Sequence, residues 1–217
     1  MSDIKTQIQG LRKEYGEGGL TKGEMQADPI AQFREWFDTA VAAGLKEPNG
    51  MAVTTCTPDG RPSTRIVLLK HYNERGFVFF TNYNSRKGSE IAQNAFGAIN
   101  FWWVDLERQV RIEGRYEKVS TEESDAYYNS RPRGSRLGAW VSPQSQEIEN
   151  RDVLNGRQAD YEAQFPEDQP VPRPEHWGGY RLVPEMIEFW QGRPNRLHDR
   201  LRYVKSGEGW EIGRLAP

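Results

Sequence analysis

The 217-residue chain has one cysteine, Cys56, and three histidines. A lone cysteine cannot close an intramolecular disulfide, and no Cys/His set has zinc-ligand spacing, so neither staple is available and no metal site is expected. This usage fits a reducing compartment. Long hydrophobic runs are missing as well: no window approaches the roughly 20 apolar residues of a membrane span, and the N-terminus Met1-Ser2-Asp3-Ile4-Lys5-Thr6-Gln7 lacks an apolar signal core. The expectation is a soluble, cytoplasmic protein with no membrane partner. Excess charge of one sign is also absent. A formal net charge of -2 gives no bulk drive toward nucleic acid, so any basic site must be local.

Seven tryptophans and 36% hydrophobic residues can build a core, while 28% charged residues suggest a wet surface or a compact barrel. Residues 1–27 are polar and glycine-rich and read as a mobile arm whose one motif-like piece is Leu11-Arg12-Lys13-Glu14-Tyr15. Asp28-Pro29 reads as an N-cap with proline at the first helical position. Ile30, Phe33, Phe37, Ala40, Val41 and Leu45 follow at helical spacing to about Lys46. Strand-like alternation then covers 51–57 and 63–70 around a Pro58-Asp59-Gly60 turn, followed by 77–82, 97–104 and 108–119. A short helix is expected after Asn84-Ser85-Arg86-Lys87. A second follows a Ser120/Glu123 capping box, and a longer one spans 148–165. Proline-rich 166–174 reads as an extended connector, and 177–183, 186–191, 200–205 and 209–214 as closing strands. The pattern predicts a mainly β fold, an antiparallel barrel with peripheral helices. Residues 28–217 then form a single domain, because the strands after the connector complete the sheet.

Groups suited to anions and proton transfer are concentrated in a few places. Arg65-Ile66-Val67-Leu68-Leu69-Lys70 is a strand with a cation at each end of an apolar run. Arg86 and Lys87 stand at a helix start, where cations oppose the macrodipole and a bound phosphate would explain them. Arg131-Pro132-Arg133 with Ser135, after Tyr127 and Tyr128, supplies guanidinium, hydroxyl and phenolic donors for a second phosphate. Gln109, Gln144 and Ser145 add neutral donors. Near the C-terminus, Trp190 precedes Arg196-Leu197-His198-Asp199-Arg200. Two anion sites with aromatic walls imply two phosphorylated flat ligands, or one dinucleotide.

The strings RIVLLK, FFTNYNSRK, LERQV, SRPRGSRLGAW, PQSQ, HWGGYRL, IEFWQG and RLHDR, in this order and ending in RLAP, resemble those of the pyridoxine 5'-phosphate oxidase family. The resemblance runs from the N-terminal arm to the last residue. It implies a flavin mononucleotide (FMN)-binding split β-barrel working as a homodimer with FMN at the interface. It also implies oxidation of pyridoxine 5'-phosphate or pyridoxamine 5'-phosphate to pyridoxal 5'-phosphate, with hydride passing from C4' to flavin N5 and O2 reduced to H2O2.

By motif, Arg65, Ile66, Val67, Leu68, Leu69, Lys70, Phe80, Thr81, Arg86 and Lys87 resemble the family's FMN-contacting segments, and Gln109, Gln144, Ser145, Trp190 and Arg200 match its remaining FMN positions. Lys70, Tyr127, Arg131 and Ser135 match residues that hold the vitamin phosphate. Arg196 and His198, with Leu197 between them, match those over the pyridine ring at the reacting carbon. Arg12, Lys13, Glu14 and Tyr15 resemble a segment that shields bound substrate. Two rivals are a related split-barrel flavin reductase with another substrate and a non-catalytic pyridoxal 5'-phosphate carrier. A guanidinium is a poor base at neutral pH, so Arg196 is expected to position and His198 to orient substrate or move a proton.

Overall fold

The computed structural model describes residues 4–11, 14–16 and 18–217. In chain order the elements are α1 (Ile4–Gly10), α2 (Pro29–Ala42), β1 (Gly50–Cys56), β2 (Pro62–Leu68), β3 (His71–Asn73) and β4 (Gly76–Asn82). Next come α3 (Arg86–Gln93), β5 (Phe96–Trp103), β6 (Arg108–Lys118), α4 (Thr121–Ser130), α5 (Arg133–Val141) and α6 (Asp152–Gln164). The chain ends with β7 (Trp177–Gln191), β8 (Asp199–Ser206) and β9 (Gly209–Leu215). The strands hydrogen-bond in the order β2-β1-β5-β6-β7-β4-β3, and β8 and β9 continue from β7. The sheet is mostly antiparallel, so the expected fold class is the observed one.

The Cα trace divides into two compact units, one formed by the chain up to Pro48 with Asn100–Ile112 and Met186–Pro217, the other by Asn49–Ile99 and Glu113–Glu185. In the first, α2 starts where Asp28 accepts from the backbone N–H groups of Ile30 and Ala31. It stops four residues before the expected Lys46 because Gly44 takes φ +70° and the N–H groups of Gly44 and Leu45 return to Val41 and Ala40. That is a Schellman stop. The helix buries Ile30, Phe33, Trp36 and Ala40. Phe33 packs on Phe101 at 5.1 Å and Trp36 edge-on against Phe189 at 5.1 Å. Val41, expected on the apolar stripe, faces solvent.

In the second unit the β1–β2 hairpin turns at Gly60 (φ +87°), with Cys56 opposite Pro62. Its core is Met51, Val53, Phe77, Phe79, Ile99, Tyr180 and Leu182, all essentially inaccessible. Only half of the expected capping box forms at α4: Ser120 Oγ accepts from Glu123 N–H, but the Glu123 carboxylate goes to Arg181 instead. The closing strands expected at 177–183 and 186–191 are one strand, β7. Pro184, which has no amide to donate, falls between the stretch paired with β4 and the stretch paired with β8. Helix α5 was not anticipated, because Arg131-Pro132-Arg133-Gly134-Ser135 has loop composition and its first turn has no side-chain cap.

Candidate functional site

In the second unit, α3 begins at Ser85, whose Oγ accepts from Gly88 N–H. This places Lys87 inward, 8% exposed. Its ammonium donates to Thr81 Oγ1 (3.1 Å), Ser85 Oγ (3.3 Å) and Gln144 Oε1 (2.9 Å). Burial, and then repulsion from Arg65, bring its pKa down to about 8. Gln144 is presented by a Pro143–Gln146 turn in which Ser145 takes φ +70°. Arg65 donates to Val53 O, Thr55 Oγ1 and both oxygens of Ser63. Glu90, 5% exposed, joins these groups: it accepts from Thr55 and Ser63, lies 3.5 Å from Arg65 and receives Arg86 Nε at 2.8 Å. Arg65 and Arg86 thus share a single carboxylate, while Lys87 beside them is held, among the described residues, by neutral oxygens alone. The excess positive charge suits a dianion, and the α3 N-terminus adds to it.

An open cavity of ≈ 520 Å³ in the same unit is lined by Val67, Leu68, Lys70, Phe80, Thr81 and Gln144 together with Tyr127, Arg131, Ser135 and Trp177. Motifs far apart in sequence, read separately for cofactor and substrate, therefore share one surface. Phe80 stacks on Tyr127 at 4.1 Å and on Trp177 at 5.6 Å. A Cβ at Gly179 would lie 2.6 Å from Val119 and 2.9 Å from the Phe80 ring, which explains one glycine of HWGGYRL. Arg131 lies with its guanidinium 4.6 Å over Trp177, and its buried Nη1 has no hydrogen-bond partner among the described residues. Burial lowers its pKa. An orphaned guanidinium nitrogen beside the uncapped N-terminus of α5 is a ready donor to phosphate oxygens. Arg133, grouped with these donors on sequence, instead turns to the backbone carbonyls of Phe165, Pro166 and Gln169. Ile66 is 71% exposed and Leu69 is buried, and neither lines the cavity.

In the first unit, Trp190 and His198 lie ring to ring at 4.6 Å, and Tyr15 meets both edge-on at 5.8 and 5.5 Å. His198 Nδ1 accepts from Arg193 N–H at 3.2 Å, so in the neutral ring the proton sits on Nε2. Burial, and then the Arg196 charge, lower its pKa. Arg196 is exposed and, with Asn195, adopts positive φ (61° and 56°), an uncommon state for non-glycine residues. Leu197 lines a second recess of ≈ 330 Å³ with Arg193, Pro194 and Asn195. Arg200 is held by buried Glu188, which also pairs with Arg111, while Gln109 is half-buried on β6. Asp199 ties Arg193, Arg214 and Leu20 N–H together. A Cβ at Gly192 would lie 2.9 Å from both Tyr15 and Glu107, which accounts for that glycine. Glu14 is exposed; Arg12 and Lys13 lie outside the described residues.

Sequence reasoning passed over Glu90, Glu188, Trp177 and the helical state of α5. The carboxylates gave no signal, since a lone glutamate in a helix or strand is ordinarily on the surface.

Solved structures share this architecture. PhzG from Burkholderia lata, in complex with tetrahydrophenazine-1-carboxylic acid, superposes with a TM-score of 0.86 at 31% identity, covering 93% of this chain and 99% of that one. A pyridoxamine 5'-phosphate oxidase-related, FMN binding protein from Nostoc punctiforme gives 0.69 at 18% identity, covering 89% and 100%, a likeness of fold. The class is therefore the flavin-binding split β-barrel. Residues 37–165 match the family model for pyridoxamine 5'-phosphate oxidase, and 177–217 the pyridoxine 5'-phosphate oxidase C-terminal dimerisation region. Proteins named pyridoxine/pyridoxamine 5'-phosphate oxidase are 59% identical over 98% of this chain and 100% of their own length in Cupriavidus pinatubonensis, and 57% identical over 97% and 98% in Trichormus variabilis. The chain belongs to the pyridoxamine 5'-phosphate oxidase family and is an oxidoreductase. FMN is the cofactor of that family, and the cation cluster around Lys87 fits a flavin phosphate. Among the described residues no group of His, Cys, Asp or Glu could hold a metal, and no helix is long and apolar enough to cross a membrane.

Proposed function

We propose that the protein oxidises pyridoxine 5'-phosphate and pyridoxamine 5'-phosphate to pyridoxal 5'-phosphate as a cytoplasmic homodimer with FMN at the interface. The observation that carries this reading is the cavity in which Arg131 offers an unpaired, buried guanidinium nitrogen alongside Lys70, Tyr127 and Ser135. This donor set suits a phosphate monoester, and it consists of residues other than Arg65, Arg86 and Lys87. Two phosphate grips match a phosphorylated cofactor and a phosphorylated substrate.

FMN held by these residues would supply the redox chemistry, a two-electron oxidation at the substrate C4' carbon with O2 as the final acceptor, reduced to H2O2. The chain's own residues bind, orient and exclude water. Lys87, Arg65 and Arg86 hold the flavin phosphate, with Thr81, Gln144 and Ser145 beside it. Val67, Leu68 and Phe80 shape the adjoining surface, and Ile66 and Leu69 belong to the same segment. Gln109, Trp190 and Arg200 complete the cofactor contacts, with Glu188 fixing the Arg200 guanidinium. Arg131, Ser135, Tyr127 and Lys70 hold the substrate phosphate, and the N-terminus of α5 adds its dipole. Arg196 positions the substrate ring by charge, Leu197 packs beside it, and neutral His198 presents Nε2–H toward the substrate alcohol or amine. Tyr15, already against Trp190 and His198, shields this end. The deciding assay is aerobic conversion of pyridoxine 5'-phosphate with stoichiometric peroxide. A protein that binds pyridoxal 5'-phosphate but produces no peroxide would support the carrier reading instead.

A further inference from the structure

Helix α6 buries none of its residues, yet it is a regular 13-residue helix. Its contacts with α5 are of two kinds. Trp140 of α5 packs against Tyr161 of α6 and Phe165 just after it, at 5.7 and 5.4 Å. At one end, Arg133 in the first turn of α5 donates to Phe165 O, Pro166 O (2.9 Å) and Gln169 O (2.8 Å), where α6 runs into the connector. At the other, Arg157 of α6 donates to Val141 O (2.6 Å) and Trp140 O (3.0 Å) in the last turn of α5. Arg157 therefore satisfies carbonyls that the C-terminal end of α5 leaves open, and Arg133 ties the start of α5 to the segment that follows the C-terminal end of α6.

We infer that α6 is a clasp that sets the axial position of α5, and that Arg133 and Arg157 are positioning residues for the substrate phosphate grip. The inference rests on the functional reading above, which assigns that grip to Arg131, Ser135 and the N-terminus of α5. Helix α5 is anchored by burial of Leu137 and Val141 on one side and of Ala139 on the other. Apolar burial is non-directional and by itself sets no position along the axis. Charge-assisted bonds at both ends fix that position. Arg133 also carries a positive charge at a helix N-terminus, where it is locally unfavourable, and its orientation directs that charge toward the carbonyl end of α6. Ser135 lies two residues from Arg133 on the same helical turn, so any movement of the clasp is transmitted to the phosphate.

The test uses the FMN-loaded dimer and four variants, Arg133→Ala, Arg133→Lys, Arg157→Ala and Arg131→Ala. For each, kcat and KM for pyridoxine 5'-phosphate, inhibition by inorganic phosphate and FMN content are measured. Arg133→Ala and Arg157→Ala should each raise KM about tenfold, short of the roughly 100-fold that an ångström of misplacement can cause. The inhibition constant for phosphate should rise in parallel, with kcat within about twofold and FMN content unchanged, and Arg133→Lys should recover most of the loss. Arg157 hydrogen-bonds α5 at the end far from the phosphate grip, so a KM effect there reports positioning. An effect at Arg133 with none at Arg157 would overturn the clasp, as would unchanged KM in both alongside a raised KM in Arg131→Ala. Unchanged KM in Arg131→Ala itself would instead overturn the assignment of the pocket, and the inference with it.

Discussion

Lys87 and Gln144, 57 residues apart in the chain, meet at 2.9 Å, and the amide oxygen helps hold a buried ammonium that, among the described residues, bonds only neutral oxygens. The arrangement makes FMN affinity depend on pH. A phosphate monoester is dianionic above pH ~6, and Lys87 is cationic below about 8. Affinity should be greatest between these values and fall as pH rises past 8. Lys87→Arg should abolish that fall, and Lys87→Met should weaken binding throughout; flavin fluorescence quenching reads both. Stability of the FMN-free protein runs the other way. Between about 8 and the ordinary value of 10.5 the unfolded chain binds the extra proton, so this residue's contribution to stability rises with pH. FMN affinity unchanged from pH 7 to 10 would contradict the placement of Lys87 at the phosphate.

Arg131 and the flavin grip should separate kinetically. Arg131→Ala removes a charge-assisted contact of roughly 1.5–3 kcal/mol, so KM should rise by about 10- to 150-fold with FMN occupancy unchanged. Equal loss of flavin would assign the cavity to the other ligand.

His198 should act as a neutral imidazole at pH 7, since burial and Arg196 both lower its pKa. The activity it supports is present above that depressed value and is lost as pH falls through it. His198→Ala and Arg196→Ala should lower kcat with FMN still bound, and His198→Ala should remove the acid limb of the kcat profile. Unchanged turnover would remove both residues from the reaction.

Glu90 organises the cation cluster and should appear in acid stability. Burial pushes its pKa up, but hydrogen bonds from Ser63, Thr55 and Arg86, with the Arg86 charge, outweigh this and hold it at about 2. A folded value below the unfolded 4.5 means stability that is present above 4.5 and lost as pH falls through about 2. Glu90→Gln should lower Tm at neutral pH and flatten the decline below 4.5. An identical acid profile in the variant would show that the carboxylate is not carrying the cluster.

Much of the sheet was legible because alternation and turn chemistry are local: Pro58-Asp59-Gly60 specified its hairpin, and Asp28-Pro29 specified the start of α2. What was not legible depended on distant partners. Arg133 looked like a phosphate ligand beside Arg131, and only the carbonyls at the end of α6 reveal its role. Pro184 read as a strand break because strand composition does not show where β7 changes partner. Glu123 completed a capping-box pattern, yet its carboxylate is drawn to Arg181, a buried guanidinium 58 residues away. The basic residues were visible as motifs, but Glu90 and Glu188, which orient three of them, had no sequence signature.

The most direct test is the visible spectrum of the purified protein during anaerobic addition of pyridoxine 5'-phosphate, followed by admission of air. The account predicts a bound flavin band that bleaches on addition and returns with release of hydrogen peroxide. A bound flavin that this substrate leaves oxidised would contradict it and point to a split-barrel flavin enzyme with another substrate.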